Sequence, residues 1–238
     1  MIELKGTAIR PEDVVAVARH DLRVSLSAEA RERMEASAAV VARLADSKQP
    51  VYGVSTGFGS LANTYIPAPR REELQRALVR SHAAGMGDLV EIEVVRAMLL
   101  LRARTLAMGY SGARPVVAEA ILGLLNAGLT PAVREYGSLG ASGDLAPLAH
   151  CALVLIGEGE VWTRPRKLSL AADALREAGL TPLTLTAKEG LALINGTDGM
   201  PSRRGTALRG RRRPLQGADR GRPGPDARRG DRPGEEGG

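Results

Sequence analysis

Gly137-Ser-Leu-Gly-Ala-Ser-Gly-Asp-Leu-Ala-Pro-Leu-Ala-His150 is the stretch on which the reading of this 238-residue chain turns. Its first half is too dense in glycine to hold a regular helix, and its second half is apolar with helical spacing and runs on to Gly157. Asp144 stands at the junction as a good N-cap, and Pro147 falls in the first turn, where a missing N–H is tolerated. A glycine-rich loop therefore feeds a helix N-terminus.

Outward from that junction the chain reads as mainly α, with long loops and minor strands. Ser27 to Asp46 is an amphipathic helix that Ser27 can cap, with Met34, Ala38, Val41 and Ala45 at helical spacing. Pro50 ends it, and Tyr52 to Pro69, rich in Gly, Ser, Thr and Pro, is a long loop of the kind that often carries function. Helical periodicity returns over Arg71 to Ala84. It continues over Glu91 to Met108, an apolar-faced helix bearing Arg96, Arg102 and Arg104, and over Pro115 to Ala127, closed by Gly128. Past Gly157, the text EGEVW and the alternation in Leu180 to Thr186 suggest a small strand or hairpin, and Lys188 to Ile194 starts a helix that reaches Asn195.

Composition narrows the function classes. The net charge of +6 lies wholly in residues 201 to 238, which hold 11 Arg against 5 acidic residues and leave the first 200 residues balanced at 22 basic and 22 acidic. The basic balance is thus a property of the tail, and nucleic acid is not an expected partner of the body. No apolar run approaches the ~18 residues of a bilayer span. The opening MIELKGTAIRPEDV has no signal-peptide pattern. Cys151 is the only cysteine, which leaves no intrachain disulfide and no multi-cysteine zinc site; no metal is expected, and the reading fits a reducing cytoplasm.

Ala141, Ser142 and Gly143 form a run of small residues in a crowded turn. If the Gly143 amide nitrogen reaches the Ala141 carbonyl carbon, ring closure and loss of two waters convert the tripeptide into a methylidene-imidazolone; Ser142 gives up its hydroxyl to leave an exocyclic methylene. Gly143 suits this because no Cβ obstructs the approach. The product is an electrophile that no ordinary side chain supplies, and a helix N-terminus beside it favours the negative charge gathered when an amine adds. By itself Ala-Ser-Gly is equally an ordinary turn. A phosphate loop fits less well, because no Lys-Ser or Lys-Thr follows the glycines, and Ser142 as a hydrolase nucleophile fits less well because it does not stand in a G-x-S-x-G elbow. His150 and Cys151 are about 100° apart on a helix and form no catalytic pair by adjacency, so a buried structural cysteine is expected.

The surrounding text goes further. GSLGASGDLAPLAH resembles the prosthetic-group signature of the aromatic amino-acid ammonia-lyase and aminomutase family; YGVSTGFG at Tyr52 to Gly59 resembles its tyrosine loop, and LALINGT at Leu191 to Thr197 its asparagine block. The likeness runs from about Gly6 to Met200, less than half of a typical member. It implies a 4-methylidene-imidazol-5-one formed autocatalytically from Ala141, Ser142 and Gly143, with no metal or nucleotide, and Tyr52 as the base that removes a substrate proton. Such a base needs a phenol pKa lowered from ~10 by nearby positive charge or donors. Ser55 stands where many relatives have Asn.

The text SHAAG around His82 resembles the histidine ammonia-lyase subgroup, which implies that His82 contacts the substrate side chain, that Asn195 positions the substrate, and that L-histidine is converted to urocanate and ammonia. Tyrosine and phenylalanine lyases or aminomutases of the same family are the alternatives. The resemblance also implies a homotetramer around a helical bundle, most of which is missing here, so the chain as written is expected to be inactive.

From Pro201 the text changes. Of the last 38 residues, 25 are Arg, Gly or Pro and none is aromatic, so residues 1 to 200 read as lyase domain and 201 to 238 as a disordered tail. Read one base later, codons permitted for Gly221 to Pro225 can spell Ala-Ala-Leu-Ala-Leu, which makes a frameshift near Met200 the expectation. A reading of another class is an inactive fragment whose basic tail binds nucleic acid nonspecifically.

Overall fold

The structure of the protein is a computed structural model that describes residues 1–47, 49–138 and 143–199. Ala141, Ser142 and the tail 201–238 lie outside the described residues. In chain order the elements are β1 (Ile2–Leu4), α1 (Pro11–His20), β2 (Val24–Leu26), α2 (Ala28–Ala45), α3 (Arg71–His82), β3 (Met86–Leu89), α4 (Ile92–Ala107), α5 (Pro115–Ala127), β4 (Thr130–Pro131), β5 (Arg134–Tyr136), α6 (Leu145–Leu155), β6 (Glu160–Thr163), β7 (Lys167–Leu170), α7 (Ala171–Glu177) and α8 (Glu189–Ile194). The fold is mainly α, as read from the sequence. Its strands make only small sheets: β1 parallel to β2, β3 antiparallel to β5, and β4, β6 and β7 antiparallel in that order.

Helix α4 is the spine. Val94, Val95, Met98, Leu99, Leu100 and Leu106 are all buried on it, so the helix is apolar around most of its circumference and packs between neighbours rather than against one. On one side it meets α1, α2 and α5; the helices α3, α6 and α8 pack mutually as a second group. Burial of each large aliphatic side chain in this core contributes roughly 1.5–3 kcal/mol.

The helix ends show why the sequence was readable here. The Ser27 hydroxyl accepts the Ala30 N–H at 3.1 Å, so α2 begins where its cap stands. Helix α5 closes on Gly128 at φ 71°, a left-handed position that glycine takes without a Cβ penalty. Two expectations are corrected. Asp144 sits at the N-cap position of α6 but makes no side-chain cap; its carboxylate instead accepts the Gly199 N–H at 2.7 Å. Leu180 to Thr186 forms no strand, despite its alternation. Both edges of β6 are already taken, and the segment's backbone is engaged elsewhere, Leu183 N–H with the Leu155 carbonyl at 2.8 Å and the Thr184 carbonyl with Arg114 at 2.8 Å. The hairpin is real at EGEVW, where β6 pairs with β7. No helix of the described residues is long and apolar enough to cross a membrane.

Candidate active site

The signature loop returns to the described chain at Gly143, and what it lands on is the asparagine block. Gly143 has φ +77°, and a Cβ there would stand 2.5 Å from the Gly196 carbonyl oxygen and 2.8 Å from the Thr197 methyl, so only glycine fits. The next amide, Asp144 N–H, donates to the Gly196 carbonyl at 2.8 Å. With the Gly199 N–H on the Asp144 carboxylate, two hydrogen bonds close the start of α6 against residues 196–199. The first turn of α6, whose free N–H groups carry partial positive charge, is thereby fixed directly after the tripeptide.

Helix α8 carries the asparagine block and is clamped at both ends. At its start, buried Glu189 accepts from Arg114 Nε at 2.9 Å, Arg114 Nη2 at 2.8 Å, the Arg114 N–H at 3.0 Å and the Thr186 N–H at 2.8 Å. Burial alone would raise the Glu189 carboxyl; the Arg114 guanidinium and the backbone donors outweigh it and hold it below the ordinary glutamate value. At its end, Arg102 of α4 donates to the Ala192 carbonyl at 3.1 Å and to the Asn195 carbonyl at 3.2 and 3.3 Å, and is ion-paired with Asp198. Arg102 Nη2 lies so close to Gly196 that no side chain is possible there. Its Nε has no acceptor among the described residues.

The three side chains read as substrate-facing sit around this core. Tyr52 lies in a tight turn in which the Val54, Ser55 and Thr56 N–H groups all reach the Val51 carbonyl at 2.9–3.3 Å. Its side chain is 59% exposed and its ring stands edge-on to Phe58, with centroids 6.0 Å apart. Buried Ser55 accepts the Val51 N–H at 2.9 Å, which gives the residue at that position a turn-closing role. The loop runs beside the asparagine block at Gly53, where an added Cβ would meet the Leu191 side chain at 3.5 Å. Asn195 is the exposed C-cap of α8, one turn beyond Leu191.

His82 ends α3. Its Nδ1 is 2.9 Å from the Leu78 carbonyl and 3.1 Å from the Ser81 hydroxyl, so that nitrogen is engaged by α3 itself and Nε2 is the one turned away from the helix end. The His82 segment joins the signature through Gly85, whose N–H donates to His150 Nε2 at 3.2 Å and whose Cα lies 3.4 Å from where a Cβ on Gly137 would stand. Burial, with the Arg134 guanidinium nearby, pulls His150 below the ordinary imidazole value, which keeps that nitrogen an acceptor.

The signature and the asparagine block are therefore in contact and the tyrosine loop lies beside the latter, whereas among the described residues no hydrogen bond joins Tyr52, His82 and Asn195 to one another. A cavity of about 270 Å³ opens between α4 and the signature, lined by Val94, Met98, Val133, Ser138, Asp144 and Gly199, and none of those three residues lines it. A cavity of about 480 Å³ bounded by Arg19, Asp21, Arg96, Trp162 and Arg164 lies beside the same N-terminal half of α4, against α1 and the β6–β7 hairpin. Burial pushes the Cys151 thiol up, in keeping with an inert core cysteine. Among the described residues no group of three His, Cys, Asp or Glu is placed to hold a metal ion. Arg102, Asp198, Gly196, Glu189 and His150 were not singled out from sequence as parts of the site. The available signal was a charge, Arg102, on an otherwise apolar helix face.

The sequence profile of the family described as aromatic amino acid lyase matches residues 9–219. The chain belongs to this family. Among its lyase relatives, the histidine ammonia-lyase of Streptomyces griseus is 58% identical over 189 residues, which cover 79% of this chain and 37% of that protein. Solved lyase-family structures agree in fold: histidine ammonia-lyase from Trypanosoma cruzi superimposes with a TM-score of 0.79 at 39% identity, covering 87% of this chain and 40% of that one. Tyrosine aminomutase from Streptomyces globisporus gives 0.80 at 39% identity, covering 87% and 39%. The chain thus spans about two fifths of the length of the lyases it matches.

Proposed function

We propose that the protein is an ammonia-lyase acting on L-histidine, releasing ammonia and urocanate, and that Ala141, Ser142 and Gly143 supply its electrophile as a 4-methylidene-imidazol-5-one. The observation that carries the reading is the seat of Gly143: positive φ, no room for a Cβ, and an amide followed immediately by the N-terminus of α6. These are the properties that ring closure through a glycine nitrogen requires, so the residues fit the group. When formed, the ring supplies an electron sink for the substrate amine.

The remaining tasks fall to side chains of this chain. Tyr52, exposed at the tip of its turn, takes the proton from the substrate β-carbon. His82, with Nε2 turned away from the helix end, meets the imidazole of the substrate and so favours histidine over an apolar ring. Asn195 donates and accepts through one amide and orients the substrate beside the signature. The partner is thus a small amino acid; on the likeness of this chain to lyases of the family, we assign the full-length protein to a cytoplasmic homotetramer.

The test is an ultraviolet assay of a form extended to the length of its relatives, offered L-histidine, L-tyrosine and L-phenylalanine separately. Urocanate from histidine alone is expected. Coumarate or cinnamate as the main product would overturn the role given to His82. A β-amino acid would make the enzyme an aminomutase, an outcome worth measuring because a tyrosine aminomutase superimposes as well as a histidine lyase does.

A further inference from the structure

We infer that Arg102 is a positioning residue for the signature tripeptide: from α4 it fixes the end of α8 and, through Gly196, the backbone against which Gly143 and Asp144 are seated. The inference rests on the reading of Gly137–His150 as the source of the prosthetic group. Three observations carry it. Arg102 is buried, and its two terminal nitrogens are divided among the Ala192 and Asn195 carbonyls and the Asp198 carboxylate, so it holds the last turn of α8 and the residue beyond it together. Gly196 is packed on that guanidinium without space for a side chain, which sets where its carbonyl points. That carbonyl is the acceptor of the Asp144 N–H at 2.8 Å and the atom that a Cβ on Gly143 would strike at 2.5 Å.

Asp198 is bound to Arg102 and reaches Thr105 only at 3.4 Å, so loss of the guanidinium leaves α4 a weak hold on the 195–198 turn. Ring closure demands that one amide nitrogen approach one carbonyl carbon, and a displacement of about 1 Å in such a geometry costs on the order of a hundredfold in rate. Arg102 touches no substrate atom in this scheme; it acts through Gly196.

A simple loss of stability must be separated from a loss of position. Replacing both members of a buried ion pair by apolar residues commonly preserves or raises stability, whereas removing one leaves an uncompensated charge. The variant of choice is therefore Arg102→Met with Asp198→Leu in the full chain, accompanied by the milder Arg102→Lys, which keeps the charge but not the fork. Two readouts are taken: hydrogen exchange of the Asp144 amide, and the mass of the 137–150 peptide. In the double variant, with helicity and melting temperature retained, the Asp144 amide should exchange at least about tenfold faster than in the parent. The share of chains lacking two waters should fall with it, and Arg102→Lys should move both readouts in the same direction.

Unchanged Asp144 protection and unchanged water loss in either folded variant would overturn the inference while leaving the prosthetic-group reading intact. A parent chain that shows no water loss, yet whose Asp144 protection depends on Arg102, would support the positioning role and defeat that reading instead.

Discussion

Arg96 and Arg102 stand on the same helix, both buried, roughly 120° apart around its axis, and they hold different parts of the molecule. Arg96 donates to the Ala18, Leu125 and Val17 carbonyls at 3.2, 3.3 and 2.9 Å, at the ends of α1 and α5, and pairs with Asp21 at 2.9 Å. Asp21 is 41% exposed and is also paired with Arg164. Arg102 has the same kind of partners at the end of α8, but its carboxylate, Asp198, is 11% exposed and belongs to the turn that seats the signature. One clamp joins helices to each other; the other joins the helical core to the asparagine block and, through it, to the signature. The difference lies in the elements at the far end of each guanidinium and not in the arginine itself.

That contrast can be broken experimentally. Arg102→Met leaves Asp198 buried and unpaired and should destabilise the chain by about 3–5 kcal/mol, together with loss of Asp144 protection. Arg96→Met leaves an aspartate that water and Arg164 still serve. Its effect should be smaller, about 2 kcal/mol from unsatisfied carbonyls, with Asp144 exchange following the global change only. Chemical denaturation and amide exchange on the same samples measure both; equal effects at Asp144 at matched stability would erase the distinction.

A third clamp sharpens it. Glu189 is held below its ordinary value when folded, so its contribution is present above pH 4.5 and is lost as the pH falls through the folded value. Glu189→Gln should accordingly lower the melting temperature at neutral pH, and the gap from the parent should narrow as acid is added. A pH-independent gap would mean that the Arg114 pair is not the source. The smallest effect belongs to Ser27→Ala, a cap remote from the signature. It should cost about 1 kcal/mol in denaturant melts and leave the water content of the 137–150 peptide untouched.

Legibility from sequence followed the range of the forces involved. Ser27, Gly128 and the period of α4 act within a few residues of themselves, so helix ends there fall within a residue or two of expectation. The strands β1 and β2 and the helix α7 were not resolved as elements, because strands of three residues and a helix of seven leave too short a pattern, whereas α1, ten residues long behind Pro11, was within reach of the sequence and was missed. Asp144 was misread for a different reason. Its type fits a cap, but a distant N–H at Gly199 competes for the carboxylate. Likewise Leu180 to Thr186 has strand alternation without a vacant neighbour to pair with on β6. At the site, the motif residues Tyr52, His82, Gly143 and Asn195 were visible as text. Arg102 and Glu189 were not, because their roles depend on contacts more than seventy positions away along the chain.

The most direct measurement is the mass of the peptide spanning Gly137 to His150, isolated from the folded protein. The expected peptide is lighter by two water molecules than its sequence, with the loss confined to Ala141, Ser142 and Gly143 on fragmentation. An unmodified peptide, recovered from a chain whose Asp144 amide is protected, would contradict the prosthetic-group reading, since the seat would then be formed and the chemistry absent.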